Sequence, residues 1–210
     1  MTPPMAATRG VPRARKPVAA GQRGFSMLEV LISIMITVVG LLGLIGMQAV
    51  AARAELESYQ RAQALILLND MVERINTNRG SAACYAFTSA STGTPYLGTS
   101  SGGNYLGTPN CTGGYVNTQT KTLADNGMYA WDQLLQGAAE SSSSGAAIGA
   151  MLGARGCVSY DSSTLTYTVV VTWQGMSDTF APVVNCANNL YGAETKRRAV
   201  WTTLKIATLS

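Results

Sequence analysis

Phe25 and Glu29 are the positions where residue type and spacing point most directly to chemistry. Phe25 follows Gly24, and Glu29 stands four residues later, against an uncharged run from Val30 to Ala52. A carboxylate in a segment that enters a membrane is costly to bury, and its default reading is functional. A cut after Gly24 would give Phe25 a free ammonium one helical turn from Glu29, or within reach of the Glu29 of a neighbour. Pairing would offset much of the cost of holding either charge in lipid. The blander alternative is a Glu29 solvated at headgroup level.

Other chemistry is thinly represented. The chain has no histidine, which removes histidine general bases, Ser-His and Cys-His nucleophile pairs and His-ligated metals. No cluster of titratable groups suggests an enzyme, a cofactor or a metal site. Asp125-Asn126-Gly127 and Asp161-Ser162-Ser163 read as turn or helix-cap chemistry, because neither has the alternating acids of a calcium loop. Lys196-Arg197-Arg198 reads as a solvated strand flank, with partner binding as the sharper alternative.

Charge narrows the function further. The 210 residues carry 15 basic and 11 acidic side chains, a formal +4. Five of the basic residues, Arg9, Arg13, Arg15, Lys16 and Arg23, lie in the first 24 positions, so residues 25–210 are close to neutral. A nucleic-acid footprint is therefore not expected. Charged residues are only 12% of the chain, about half the usual share, which points to a membrane-bound or secreted protein.

The elements that must position these residues follow from pattern. Residues 1–24, rich in proline, alanine and basic residues, read as a processing segment outside the fold. The uncharged run is long enough to cross a bilayer as a helix, and the basic segment before it predicts a cytoplasmic N-terminus. Helical spacing continues in Leu65, Leu68, Val72 and Ile75, supported by i,i+4 pairs Glu57/Arg61 and Asp70/Arg74. Gly80 reads as the helix's C-terminal cap. Gly40, Gly43 and Gly46, three apart, suggest a stretch that melts or bends on assembly, or that packs closely against a neighbouring helix. Both readings stay open.

Beyond the helix, half of residues 81–120 are Ser, Thr or Gly, which predicts an irregular or very short-stranded region. Tyr96-Leu97-Gly98-Thr99 and Tyr105-Leu106-Gly107-Thr108 echo each other. Tyr85, Tyr96, Tyr105 and Tyr115 read as pins for this loop, with an exposed binding surface as the alternative. A short helix is predicted over Met128–Leu135, ended by Gly137 and the Ser141–Ser144 run. Strands are predicted over 157–160, 164–173 and 198–206. Trp131, Trp173 and Trp201 read as core or core-edge residues. Packed on the helix face, the strands give an α+β head with a small antiparallel sheet.

All four cysteines, Cys84, Cys111, Cys157 and Cys186, lie beyond the uncharged run, on the predicted non-cytoplasmic side, and read as two disulfides. Three pairings exist. Cys84–Cys111 with Cys157–Cys186 is favoured, because it closes the glycine-rich loop and ties the hairpin to the segment before the last strand.

Arg23-Gly24-Phe25-Ser26-Met27-Leu28-Glu29-Val30-Leu31-Ile32 resembles the class III signal sequence of type IV pilins and type II secretion pseudopilins. The resemblance implies that a prepilin peptidase cuts after Gly24 and methylates Phe25, and that Glu29, fifth in the mature chain, is the docking carboxylate. It implies a leader over 1–24, a membrane half of a long helix over 25–52, an amphipathic half over 53–80 and a head over 81–210. Val171-Thr172-Trp173-Gln174-Gly175, the cysteine-bearing loop and the basic-led last strand are similar to PilV-type minor pilins, also called type IV pilus modification proteins. That family implies a structural, non-enzymatic subunit with no cofactor, in the inner membrane before assembly and on the cell-surface pilus after it. Its implied partners are the major pilin, other minor pilins, the inner-membrane assembly platform and a large tip adhesin, with roles in adhesion and twitching motility. The alternatives are a minor pseudopilin of type II secretion, or an adhesive or ligand-binding module on a membrane stalk.

Overall fold

The computed structural model describes residues 24–99, 109–113, 115–138, 143 and 151–206. The leader to Arg23, the second Tyr-Leu-Gly-Thr copy and most of the Ser141–Ser144 run lie outside the described residues. Helix α1, Met27–Thr77, contributes to two compact units, residues 1–48 and 49–210.

In the first unit the helix is preceded by Ser26, whose backbone carbonyl and hydroxyl accept the Glu29 N–H at 3.0 and 3.4 Å. Every described residue of this unit is exposed. Ser33 donates its hydroxyl to the Glu29 carbonyl at 2.7 Å, and Thr37 does the same to Ser33 at 2.7 Å. Polar side chains thus return to their own helix backbone and leave an apolar outer surface.

The second unit holds the core. Ala64, Leu68, Met71 and Ile75 are buried, with spacings of four, three and four. Leu68 and Ile75 lie on the predicted face, and Val72 is half-buried against the core. Leu65 is the correction: it is 43% exposed, and its neighbour Ala64 takes the inward position. Asp70 and Arg74 pair at 2.7 Å. Glu57 bonds instead to Arg198, Met176 and Ser177, in place of the expected Arg61.

Gly80 is not a left-handed cap. α1 ends at Thr77, and Gly80 lies in a 3-10 stretch, Arg79–Tyr85. Its missing side chain makes room for Tyr115, whose Cβ would stand 3.0 Å from an added methyl. The two-residue strand β1, Leu97–Gly98, fits the expected very short-stranded character among the described residues of 81–120, and the 3-10 stretch adds a turn of helix at its start. Tyr85 is buried and Tyr115 exposed, so the loop-pinning reading holds for Tyr85.

Helix α2 runs from Thr118 to Leu135, well beyond the predicted Met128–Leu135. Asn117 caps it: its side chain accepts the Thr120 N–H, and the Thr120 hydroxyl accepts the Asn117 N–H, both at 2.9 Å. This capping box satisfies two otherwise orphaned donors. Asp125-Asn126-Gly127 is therefore helical, not a turn. Burial of Ala124, Gly127, Met128, Trp131 and Leu135 outweighs the weak helix preference of Asn and Gly. Gly137, at φ 91°, closes the helix with its N–H on the Leu134 carbonyl.

The sheet has four antiparallel strands in sequence order: β1, β2 (Arg155–Asp161), β3 (Thr166–Gln174) and β4 (Arg197–Lys205). Sequence predicted the last three. β1 has only two residues and pairs with Gly156 and Arg155, too short to carry an alternating pattern. The β2–β3 turn is the predicted one, with Ser163 N–H on Asp161 Oδ1 at 2.9 Å. Trp131 and Trp173 are buried, whereas Trp201 is 47% exposed. Gly156 lies under the Trp131 ring, where an added Cβ would collide with its Cζ3 and Cη2.

Candidate assembly and head-anchoring sites

Gly24 and Phe25 precede the helix without regular secondary structure, and Glu29 sits in its first turn. Phe25 is 84% exposed, and Glu29 is exposed as well. Gly24, Phe25 and Glu29 are thus all left uncovered by the rest of the chain. A carboxylate in the first turn also faces the partial positive charge of the helix N-terminus. Met27–Thr77 is long and apolar enough to cross a membrane. Gly40, Gly43 and Gly46 are helical, and a methyl at each would meet nothing within 4 Å.

The four cysteines form Cys84–Cys111 and Cys157–Cys186. The first ties the end of α1's 3-10 extension to the segment leading into α2. The second ties β2 to the loop that returns to β4. No group of three or more His, Cys, Asp or Glu that could hold a metal occurs among the described residues.

The basic triplet 196–198 is not a solvated flank. Arg197 is 2% exposed. It pairs with Glu194 at 2.7 Å and donates to the carbonyls of Val184 at 2.7 Å, Cys186 at 3.3 Å and Pro182 at 3.3 Å. Arg198 bonds Glu57, the Ser177 carbonyl and the Thr179 hydroxyl. Both arginines therefore hold the β3–β4 loop. Arginine's fork of donors suits such multi-carbonyl anchoring.

Glu57 gathers this network from α1. One carboxylate oxygen accepts the N–H groups of Met176 and Ser177 at 3.1 and 3.3 Å, the Ser177 hydroxyl at 3.1 Å and Arg198 at 3.1 Å. Burial pushes its carboxyl up, but the Ser177 bonds and the Arg198 charge outweigh that and hold it below 4.5. On α2, Asp132 is buried and accepts Gly98 N–H and Gln136 at 2.7 Å each. There burial dominates and raises the carboxyl above its ordinary value, against the pull of the Gly98 and glutamine bonds. Arg155 completes the β1 edge, stacked between Tyr96 and Tyr191 at 5.4 and 4.8 Å. Sequence reasoning missed Glu57 and Asp132 because their partners lie more than thirty residues away. The only signal was an acid on the inner side of an amphipathic helix.

Two family models match the chain. Residues 20–45 match the prokaryotic N-terminal methylation motif, and residues 46–114 match the family described as Type IV pilin Tt1218. No curated protein and no solved structure matches. The methylation motif covers the Gly24–Phe25–Glu29 segment, and the second match covers the latter part of α1, the first disulfide and β1. Together with the long apolar N-terminal helix and the small antiparallel head, the two matches support a type IV pilin-like protein, a structural subunit of the pilin kind.

Proposed function

We propose that the chain is a minor pilin of the PilV type, which helps start type IV pilus assembly and sits at or near the pilus tip. The observation that carries the filament-subunit part is the exposed Phe25–Glu29 segment opening the uncharged, exposed Val30–Ala52 stretch of α1. On this reading residues 1–24 are removed after Gly24, Phe25 is methylated, and Glu29 pairs with a subunit's new α-amine. Losing the basic leader removes positive charge that would oppose extraction of the helix from the membrane. The N-terminus faces the cytoplasm before assembly and the head faces the periplasm. Partners are the prepilin peptidase, the assembly platform, the major pilin, other minor pilins and a large tip adhesin. The role is packing, not catalysis.

Support for the minor-pilin subtype is the order of features in the head: the Trp131 helix, the hairpin ending in Trp173-Gln174-Gly175, the Cys186 loop and the arginine-led β4. Gly40, Gly43 and Gly46 form the stretch that loosens during assembly. Replacing all three by alanine strengthens the isolated helix by roughly 1 kcal/mol per site. If loosening is required, piliation falls while membrane insertion stays normal. Unchanged piliation argues against a required loosening.

A deletion strain tests the assignment. Loss of surface pili with intact exoprotein secretion supports the minor-pilin reading. Intact pili with lost secretion supports a minor pseudopilin instead.

A further inference from the structure

The loop between β3 and β4 presents two uncovered apolar side chains: Phe180 is 98% exposed and Val183 is 84% exposed. Met176, at the loop's base, is exposed too. Residues 179–193 contain no charge, so nothing in this stretch opposes entry into an apolar medium. The loop is also held in place. Thr179 N–H donates to Thr195 O at 2.8 Å, and Arg197 reaches the Pro182 carbonyl at 3.3 Å. At its end, Cys186 is bonded to Cys157. Exposed apolar groups on a fixed support mark a surface that meets a protein or a membrane.

The loop's place along α1 decides between these. Arg53 is the first charge after the uncharged run. Such an arginine marks the headgroup level, since its stem lies along apolar surroundings while its guanidinium reaches water. Glu57 follows four residues later, at most about 6 Å farther along a helix that rises 1.5 Å per residue. Glu57 holds the Met176 and Ser177 N–H groups at 3.1 and 3.3 Å. The Arg198 guanidinium that meets Glu57 at 3.1 Å also donates to the Thr179 hydroxyl at 2.7 Å, and Phe180 is the next residue. These bonds all lie within the second unit and set upper limits, so Phe180 stays near the level of Arg53 whatever the tilt of the helix. The headgroup layer is itself about 5–8 Å deep on each side. Tyr59, 52% exposed, stands little more than one turn past Arg53, and tyrosine is enriched at that depth.

We propose that, before the subunit leaves the membrane, Phe180 and Val183 dip into the lipid surface on the head's side, so that the β3–β4 loop is a foot on which the head rests. The proposal rests on the reading of α1 as membrane-spanning before assembly. An apolar side chain at the boundary of headgroups and acyl chains is the way a peripheral segment lies on a bilayer. Here α1 supplies the main anchor, and the foot sets how the head stands on it. Extraction of α1 then lifts the foot as well.

Fluorine NMR of the full chain in nanodiscs of phosphatidylethanolamine and phosphatidylglycerol tests this, with 4-trifluoromethylphenylalanine replacing Phe180. A second sample carries the probe in place of Tyr115, which is 71% exposed and lies beside Gly80, past the end of α1. A lipid with a nitroxide high on its acyl chain should broaden the probe at 180 several-fold more than the probe at 115. A water-soluble gadolinium chelate should give the reverse order. Chains that co-elute with the nanodiscs but whose probe at 180 answers only to the aqueous chelate overturn the proposal, as does an equal response at both positions. Chains that do not co-elute with the nanodiscs overturn the membrane-spanning reading itself, and this proposal with it.

Discussion

Arg198, the second residue of β4, meets Glu57 of α1 with 3.1 Å between Nη2 and Oε1. The same oxygen anchors the backbone of Met176 and Ser177. One side chain of the helix thereby fixes the start of the last strand and the base of the loop before it.

Glu57→Ala should lower the head's unfolding free energy by roughly 1–3 kcal/mol, the scale of charge-assisted hydrogen bonds. Glu57→Gln, which keeps an acceptor but loses the charge, should cost less. Urea titration of the detergent-solubilised chain measures both. Because the folded carboxyl is held below 4.5, its contribution is present above that value and is lost as pH falls through the lower folded value. A Glu57→Gln variant should show a flatter acid limb than the unaltered chain. An equally steep limb would mean that the latch does not depend on the charge.

Asp132 should show the opposite sign. Its folded carboxyl is raised above 3.8, so its contribution is greatest in acid and declines as pH rises through the folded value. Asp132→Ala leaves the Gly98 N–H without its 2.7 Å acceptor and should cost about 1–3 kcal/mol. Asp132→Asn keeps an acceptor for Gly98 and sheds the buried charge. At neutral pH it should sit closer to the unaltered chain than Asp132→Ala does, and it should fall relatively behind as pH drops. Equal midpoints for the Asn and Ala variants would remove Asp132 as the tie between α2 and β1.

What the sequence made legible were features written in local order. The Gly24–Phe25–Glu29 spacing, the uncharged run and the β-branched strand over 166–174 are readable because neighbours in sequence carry the signal. The length of α2 was hidden, because Asp125, Asn126 and Gly127 look like a turn until the Asn117 cap and the Tyr85 contact are known. The arginine anchors were hidden for a different reason. Arg197 satisfies its charge with Glu194 and with carbonyls of a distant loop, and a run of basic residues does not reveal which of them are buried.

The disulfides give another test. Cys84–Cys111 and Cys157–Cys186 span 27 and 29 residues, and chain entropy alone assigns each roughly 3–4 kcal/mol. Cys157→Ser with Cys186→Ser should lower the unfolding midpoint and make the 176–186 loop more protease-sensitive. Non-reducing peptide mapping should recover both pairs. A Cys84–Cys186 peptide would contradict the fold described.

Mass spectrometry of the intact N-terminus of membrane-derived protein tests the central claim most directly. The expected species is a mature chain that begins at Phe25 and carries one added methyl group on its α-amine. A chain that begins anywhere else, or an unmodified Phe25, would contradict it.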